Sequence, residues 1–213
     1  NLGVELDMGG IKSYISQFQL DFKKLESLYE DGSICNWYKS GDNISFDSIN
    51  AIINLDALII AKAEVTDLTP FSMLENLKFL DCSNNNIEDI SPLKNLINLE
   101  EINLSWNKIT SIESLRNLKQ LRKIELMMNN ILSFEPIENL ENLEELNCLF
   151  NFDSDSELIL KLSPNWQKLK RLSAHNIRNI HNLPDFYPDL KSLYVQGLKT
   201  DLSSIVKLKR LTV

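Results

Sequence analysis

Apolar residues recur along this chain with a fixed step of 22 positions between residues 55 and 142. The leucines that open successive copies are Leu55, Leu77, Leu99, Leu121 and Leu143. Counted from each opening leucine as position one, apolar residues return at positions four, six and eleven, and then every three residues to position twenty. Self-similarity at this period predicts a solenoid, in which each copy is one structural unit stacked on its neighbours.

The spacing within one copy predicts its local structure. Apolar residues at positions four and six, separated by a single residue, indicate a short strand with one buried side. The dipeptides Thr69-Pro70 and Ser91-Pro92 fall in the second half of two copies. A Ser or Thr N-cap followed by proline at the first helical position favours a brief helical turn. Each copy therefore reads as a strand, a turn and a helical return.

Asparagine occupies position nine in four consecutive copies, as Asn85, Asn107, Asn129 and Asn151. A turn after a strand leaves backbone groups unpaired, and an asparagine amide both donates and accepts hydrogen bonds. We expect these four side chains to form a buried ladder that joins each turn to the next.

The regions outside the regular copies predict the domain organisation. Residues 1–33 are expected to form an amino-terminal helical cap, because residues 11–30 carry an amphipathic helical pattern. Residues 34–213 are expected to form a solenoid of about eight repeats, the last incomplete. The copy that opens at Leu143 is 26 residues long, and Ser154-x-x-Glu157 predicts a capping box that opens a longer convex helix. Because the chain stops inside a predicted strand, we expect either that further residues follow it or that a second copy covers the apolar end.

Net charge and composition limit the classes of partner and the compartment that we expect for this chain. The formal net charge of −8 disfavours nucleic acid and anionic membrane surfaces, since both are polyanions. No run of 18 apolar residues is present, so no membrane insertion is expected. Cys82 and Cys148 occupy core positions and Cys35 makes the count odd. This usage favours a reducing intracellular compartment; secretion or delivery into a host cell stays open.

The repeat resembles the 22-residue class of leucine-rich repeats, a class that includes bacterial internalins and intracellular phosphatase regulators. The similarity extends over about residues 34–213. It implies an α/β fold, a right-handed leucine-rich repeat horseshoe segment with a concave parallel β-sheet and short convex helical turns. It also implies that the concave face binds another protein. The asparagine- and isoleucine-rich composition indicates an AT-rich, hence microbial, genome.

Strand alternation predicts which residues face a partner. If positions one, four and six point into the rod, positions three, five and seven point outwards, and position eight lies at the strand end. Large apolar residues then cluster over three neighbouring repeats, beside an acidic flank that turns basic at Lys170. A partner with an apolar ridge and a basic rim is expected. The predicted partner-binding residues are Tyr38, Ile59, Phe79, Asp81, Glu101, Trp106, Glu125, Met127, Met128, Glu145, Leu149, Phe150, Arg171, His175 and Tyr194. In the alternative interpretation, position eight packs back against the rod.

Chemistry-bearing motifs are sparse. The two histidines, His175 and His181, lie outside any metal-like spacing, and neither a phosphate loop nor a nucleophile elbow occurs. We therefore predict no enzyme activity, no cofactor and no metal, and interpret the chain as a protein-recognition module. Two alternatives stay open. One is an assembly protein that self-associates through its uncapped carboxy-terminal end, and the other is a secreted microbial adhesin or effector that uses the same face.

Overall fold

The computed structural model describes residues 34–36, 56–151, 160–175, 177–178, 183 and 187–196. The predicted amino-terminal cap and the open carboxy-terminal end lie outside these residues, as does Tyr38. In the part of the chain that is described, no helix is long and apolar enough to cross a bilayer.

Eight strands form one parallel sheet in which neighbours in sequence are neighbours in space, with two exceptions. Two short strands, β7 (Leu160–Lys161) and β9 (Ile177–Arg178), leave the main sheet and pair with each other, so the strands on either side of each one pair directly. The main strands are β1 (Ile34–Asn36), β2 (Ala57–Ile59), β3 (Phe79–Asp81), β4 (Glu101–Asn103), β5 (Lys123–Glu125), β6 (Glu145–Asn147), β8 (Arg171–His175) and β10 (Ser192–Gln196). This order is that of a leucine-rich repeat solenoid, as the 22-residue period predicts.

The core is a continuous column of the inward-facing repeat positions. Positions one, four and six are fully or almost fully buried in the copies that open at residues 77, 99, 121 and 143, as Leu99, Ile102 and Leu104 illustrate. In register, Leu80 lies beside Ile102, and Ile102 beside Ile124. Each repeat thus buries its apolar side chains against the next, which is why the period is visible in the sequence.

Short 3-10 helices form the opposite side of four repeats, at Thr69–Met73, Ser91–Asn95, Glu113–Leu115 and Glu135–Ile137. The predicted Ser/Thr N-caps are wrong by one residue, because the helices begin at Thr69 and Ser91 themselves and their N-caps make no side-chain bond. The capping acceptor lies two residues earlier. Asp67 Oδ1 accepts from the Thr69 amide at 2.8 Å, and Asp89 Oδ1 from that of Ser91 at 2.7 Å.

The long fifth repeat differs from its expected form at the end that the structure describes. Residues 160–161 were expected to be helical but form strand β7 (Leu160–Lys161), which pairs with β9 (Ile177–Arg178) in a separate two-stranded sheet. Residues 152–159, which contain the predicted capping box, lie outside the described residues. Buried Trp166 follows β7 and donates its indole N–H to the Ile137 carbonyl at 3.0 Å, so it joins this repeat to the preceding one.

Candidate protein-binding face

The outward face of the eight-stranded sheet, called here the concave face, carries two columns of side chains. Position three places Phe79, Glu101, Lys123, Glu145 and Arg171 side by side in register. Position five places Ile59, Asp81, Asn103, Glu125, Asn147, Ser173 and Tyr194 in the second column. The sheet therefore brings most of the sequence-predicted residues onto one surface.

A lysine that the sequence prediction omitted lies at the centre of the acidic residues. The ammonium of Lys123 is 3.8 Å from a carboxylate oxygen of Glu125 and 3.8 Å from one of Glu145. Arg171 in turn donates to Glu145. Burial raises the pKa of Glu125 and Glu101, while Lys123 acts in the opposite direction. Because side chains alternate between the two faces of a strand, residues 123 and 125 lie on the same face. Lys123 could therefore have been identified from the sequence.

Three predicted contact residues are buried, which corrects their assignment as exposed partner contacts. Asp81 is 1% exposed, because its carboxylate accepts hydrogen bonds from the Ser83 amide and from Asn103 Nδ2, both at 2.9 Å. Ile59 is 5% exposed and lies in a strand that is paired on both sides. Leu149 is 8% exposed, and its carbonyl accepts a hydrogen bond from the Met128 amide at 2.9 Å.

Asp81 and its neighbours form a polar network that sequence reasoning missed. Asn103 Oδ1 accepts from the Ser105 amide at 3.1 Å, as Asn147 Oδ1 accepts from the Leu149 amide at 3.3 Å. Position-five side chains thus satisfy the position-seven amides at the strand ends. Desolvation raises the pKa of Asp81 to about 6, although its hydrogen bonds and the nearby Lys123 lower it.

Position eight is the most unusual part of the surface. Lys62, Asn84, Trp106, Met128 and Phe150 all have positive φ, between 54° and 59°. Their backbone is fixed by the sheet ladder: the Trp106 amide donates to the Met127 carbonyl, and that of Met128 to the Leu149 carbonyl. We call Trp106, Met128 and Phe150 the ridge. The Trp106 side chain is 48% exposed and the other two are partly exposed, so the alternative of an inward-packed position eight does not hold for Trp106.

Two further predicted residues adjoin the ridge, and others lie farther away. Met127 is partly exposed one residue before Met128. The His175 ring lies 5.8 Å from that of Phe150, centroid to centroid, at 56°, and burial lowers the pKa of His175. Tyr194, 55% exposed, lies two strands beyond β6, so it belongs to the same sheet face but not to the ridge.

The position-nine asparagines are buried and bridge consecutive repeats. Asn107 shows the pattern: its Oδ1 accepts from the Ile87 amide at 3.0 Å, and its Nδ2 donates to the carbonyls of Cys82 and Leu104, each at 3.0 Å. The other members repeat these contacts one copy away. The four members are Asn85, Asn107, Asn129 and Asn151. They hold the turns that carry the ridge.

The described residues contain little reactive chemistry. No group of three His, Cys, Asp or Glu side chains among them is arranged to hold a metal ion. Cys82 and Cys148 are free and buried, and desolvation raises the pKa of both thiols. Their burial is compatible with either compartment named above, so the choice of a reducing compartment stays a prediction.

Comparison with known proteins agrees with this architecture. The family described as leucine-rich repeats (2 copies) matches residues 53–95. A search of curated proteins gave no match. An internalin (inlF) from Listeria monocytogenes is 29% identical, with 80% of this chain and 49% of that chain covered and a TM-score of 0.62. Internalin C2 (inlC2) from the same organism is 25% identical, with 82% and 75% covered and a TM-score of 0.64.

The extent of these matches differs. The chain spans about half the length of the first internalin and three quarters of the second. A plant receptor kinase ectodomain from Arabidopsis thaliana, solved in complex with CASPARIAN STRIP INTEGRITY FACTOR 2, shares the fold at 22% identity, with 80% of this chain and 25% of that chain covered and a TM-score of 0.59. The matched family, the repeat period and the parallel sheet lead to one conclusion: the chain has the fold of a leucine-rich repeat solenoid and is similar to the internalins.

Proposed function

We propose that this chain binds a protein partner through its concave face, with the ridge as the main contact. The observation that carries the proposal is the ridge itself: Trp106, Met128 and Phe150, three large apolar side chains held at positive φ in consecutive repeats. Leucine-rich repeat proteins are interaction scaffolds, and the plant ectodomain above was solved with a bound factor.

The backbone at position eight explains why these side chains support a binding role. A left-handed conformation costs a residue with a Cβ roughly 1–2 kcal/mol, and asparagine tolerates it better than most. Asn84 occupies the same position two repeats before Met128, with φ of 55°. The turn alone therefore favours a residue such as asparagine. Residues in strained backbone conformations cluster at functional sites, where the surrounding structure holds them in place.

The exposure and the residue types of the ridge also support a binding role. Tryptophan is enriched among residues that dominate binding energy, and Trp106 exposes about half of its surface. Met128 and Phe150 extend the apolar surface over two further repeats. Exposed apolar surfaces of this kind mark interaction sites.

The proposal is tested with a variant that keeps the backbone conformation. Trp106→Asn combined with Phe150→Asn places at both sites the residue already found at position 84. The control is Ile97→Asn, which removes an exposed apolar side chain outside the concave face. After circular dichroism shows that all are folded, each is used to capture partners from lysate. A protein retained by the parent and the control but lost by the double variant supports the proposal; equal retention by the double variant contradicts it.

Self-association through the carboxy-terminal end stays a prediction, because residues 197–213 lie outside the described part of the chain. Mass in solution, measured against concentration, tests it. A mass that stays that of one chain at every concentration would contradict it.

A further inference from the structure

We infer that the partner segment is a basic amphipathic helix that lies across strands β4 to β6, with its apolar side against the ridge and its Lys and Arg side chains over the carboxylates of the concave face. This inference deepens the proposed function and rests on it. Two independent observations carry it: the spacing of the ridge and the charge of the sheet beside it.

The spacing of the ridge fits one turn of helix per repeat. Trp106, Met128 and Phe150 occupy the same position in adjacent repeats, so they follow the strand spacing of about 4.8 Å. An α-helix rises about 5.4 Å per turn, so the mismatch is about 0.6 Å per repeat. In an extended segment, side chains on one face recur about every 6.7 Å, which gives a mismatch of about 2 Å per repeat. Over three repeats only the helix stays in step.

The width of the surface also fits a helix. Position five is the last residue of strands β4 to β6, and the ridge residue follows it three positions later, so the two columns lie at most about 10 Å apart. A helix with its side chains is about 10–12 Å wide. A helix seated against Trp106, Met128 and Phe150 would therefore extend over Glu125 at position five, with Glu101 and Glu145 beyond it in the position-three column.

The charge of that neighbouring surface selects a basic helix. In β3 to β6, positions three and five carry four carboxylates and a single ammonium: Asp81, Glu101, Glu125 and Glu145 against Lys123. Asp81 is buried, which leaves three that a partner could reach, with side-chain exposure of 22%, 17% and 22% for Glu101, Glu125 and Glu145. Lys123 is shared between Glu125 and Glu145 at 3.8 Å each. Arg122 lies 3.3 Å from Glu101, and Arg171 donates to Glu145. Glu100 pairs with Arg122, and Glu144 with Lys170, at the start of the same strands. Six carboxylates are thus set against four cations, and this excess of negative charge would attract an added cation to the face.

The test is a selection from a displayed library of random 16-residue peptides. Peptides are selected on the immobilised parent and depleted on the folded Trp106→Asn, Phe150→Asn double variant. Enriched sequences are expected to carry apolar residues at i, i+3 or i+4, and i+7, with an excess of Lys and Arg on an adjacent side. Ridge-dependent peptides that alternate with period two, or that are acidic, would overturn the inference while leaving the proposed function standing. If the depletion removes every selected peptide, because all of them bind the variant as well, both fail.

A second measurement isolates the charge. The best peptide, labelled with fluorescein, is titrated by fluorescence anisotropy against the parent and against Glu125→Gln, Glu145→Gln, which leaves the ridge unchanged. We expect affinity to fall at least ten-fold in this variant, with a weaker dependence on salt. Equal affinity and equal salt dependence would show that the carboxylates do not recognise the partner.

Discussion

Asn107→Ala tests the structural basis of the repeat, because Asn107 joins two turns from a buried position. Its Oδ1 accepts from the Ile87 amide, and its Nδ2 donates to the Cys82 and Leu104 carbonyls. Alanine removes these three hydrogen bonds, together with a longer one from Nδ2 to the Ser105 carbonyl at 3.4 Å, and adds no partner in their place.

The cost is worked out group by group. The two carbonyls keep other donors, since Asn85 Nδ2 also reaches the Cys82 carbonyl and Asn129 Nδ2 the Leu104 carbonyl, both at 2.9 Å. The Ile87 amide loses its side-chain acceptor in a buried place, which costs about 1–3 kcal/mol. Each lost carbonyl contact adds about 0.5–1 kcal/mol. The total is a loss of about 3 kcal/mol in the free energy of unfolding.

Urea denaturation followed by circular dichroism measures this loss. The control is Asn86→Ala, which changes an exposed asparagine next to the ladder and is expected to alter stability by less than about 0.5 kcal/mol. Asn107→Asp is expected to cost at least as much as alanine, because it buries a negative charge against two carbonyl oxygens to which it cannot donate. A midpoint for Asn107→Ala that equals that of the parent would refute the reasoning.

Three further predictions follow from the same contacts. Trp106→Ala is expected to weaken partner binding by about 2 kcal/mol or more, measured by calorimetry with the captured partner, and an unchanged affinity would contradict it. Because burial raises the pKa of Asp81 from 3.8 to about 6 in the folded chain, the folded form takes up a proton at higher pH than the unfolded form. This contribution to the free energy of unfolding should therefore grow by about 2 kcal/mol as pH falls from 7 to 4, and pH-dependent urea melts should show a smaller rise in Asp81→Asn. Cys82 and Cys148 are buried with raised thiol pKa values, so a thiol reagent should modify at most one of the three cysteines before denaturation, and rapid modification of two would contradict their burial.

The solenoid could be predicted because the buried core residues recur with the 22-residue period of the sequence. Leu80, Ile102 and Ile124 occupy the same buried position in successive copies, so burial repeats with the same period as the sequence. The outward face has no such constraint. Alternation placed Glu101 and Glu145 correctly on that face, but alternation does not show which outward side chains fold back on the backbone.

Asp81 illustrates this limit. Outward placement and a charged side chain predicted exposure, yet its carboxylate bonds with the Ser83 amide and Asn103 and is buried. The helix caps show the same limit. The sequence has both Asp67 and Thr69 near the start of the first 3-10 helix, and in the structure the Asp67 carboxylate accepts from the Thr69 amide. Such local competition between polar side chains is decided by three-dimensional geometry. Positive φ at Trp106 was likewise invisible, because tryptophan gives no sign of a left-handed residue.

Site-specific photocrosslinking tests the central claim most directly, which is that the ridge touches the partner. A benzophenone side chain is placed at position 128, within the ridge, or at position 97, outside the concave face, and each folded variant is irradiated in lysate. The account predicts a crosslinked protein at position 128 that is absent at 97 and is lost when Trp106→Asn is added. Crosslinking of the same protein at 97 and not at 128 would contradict it.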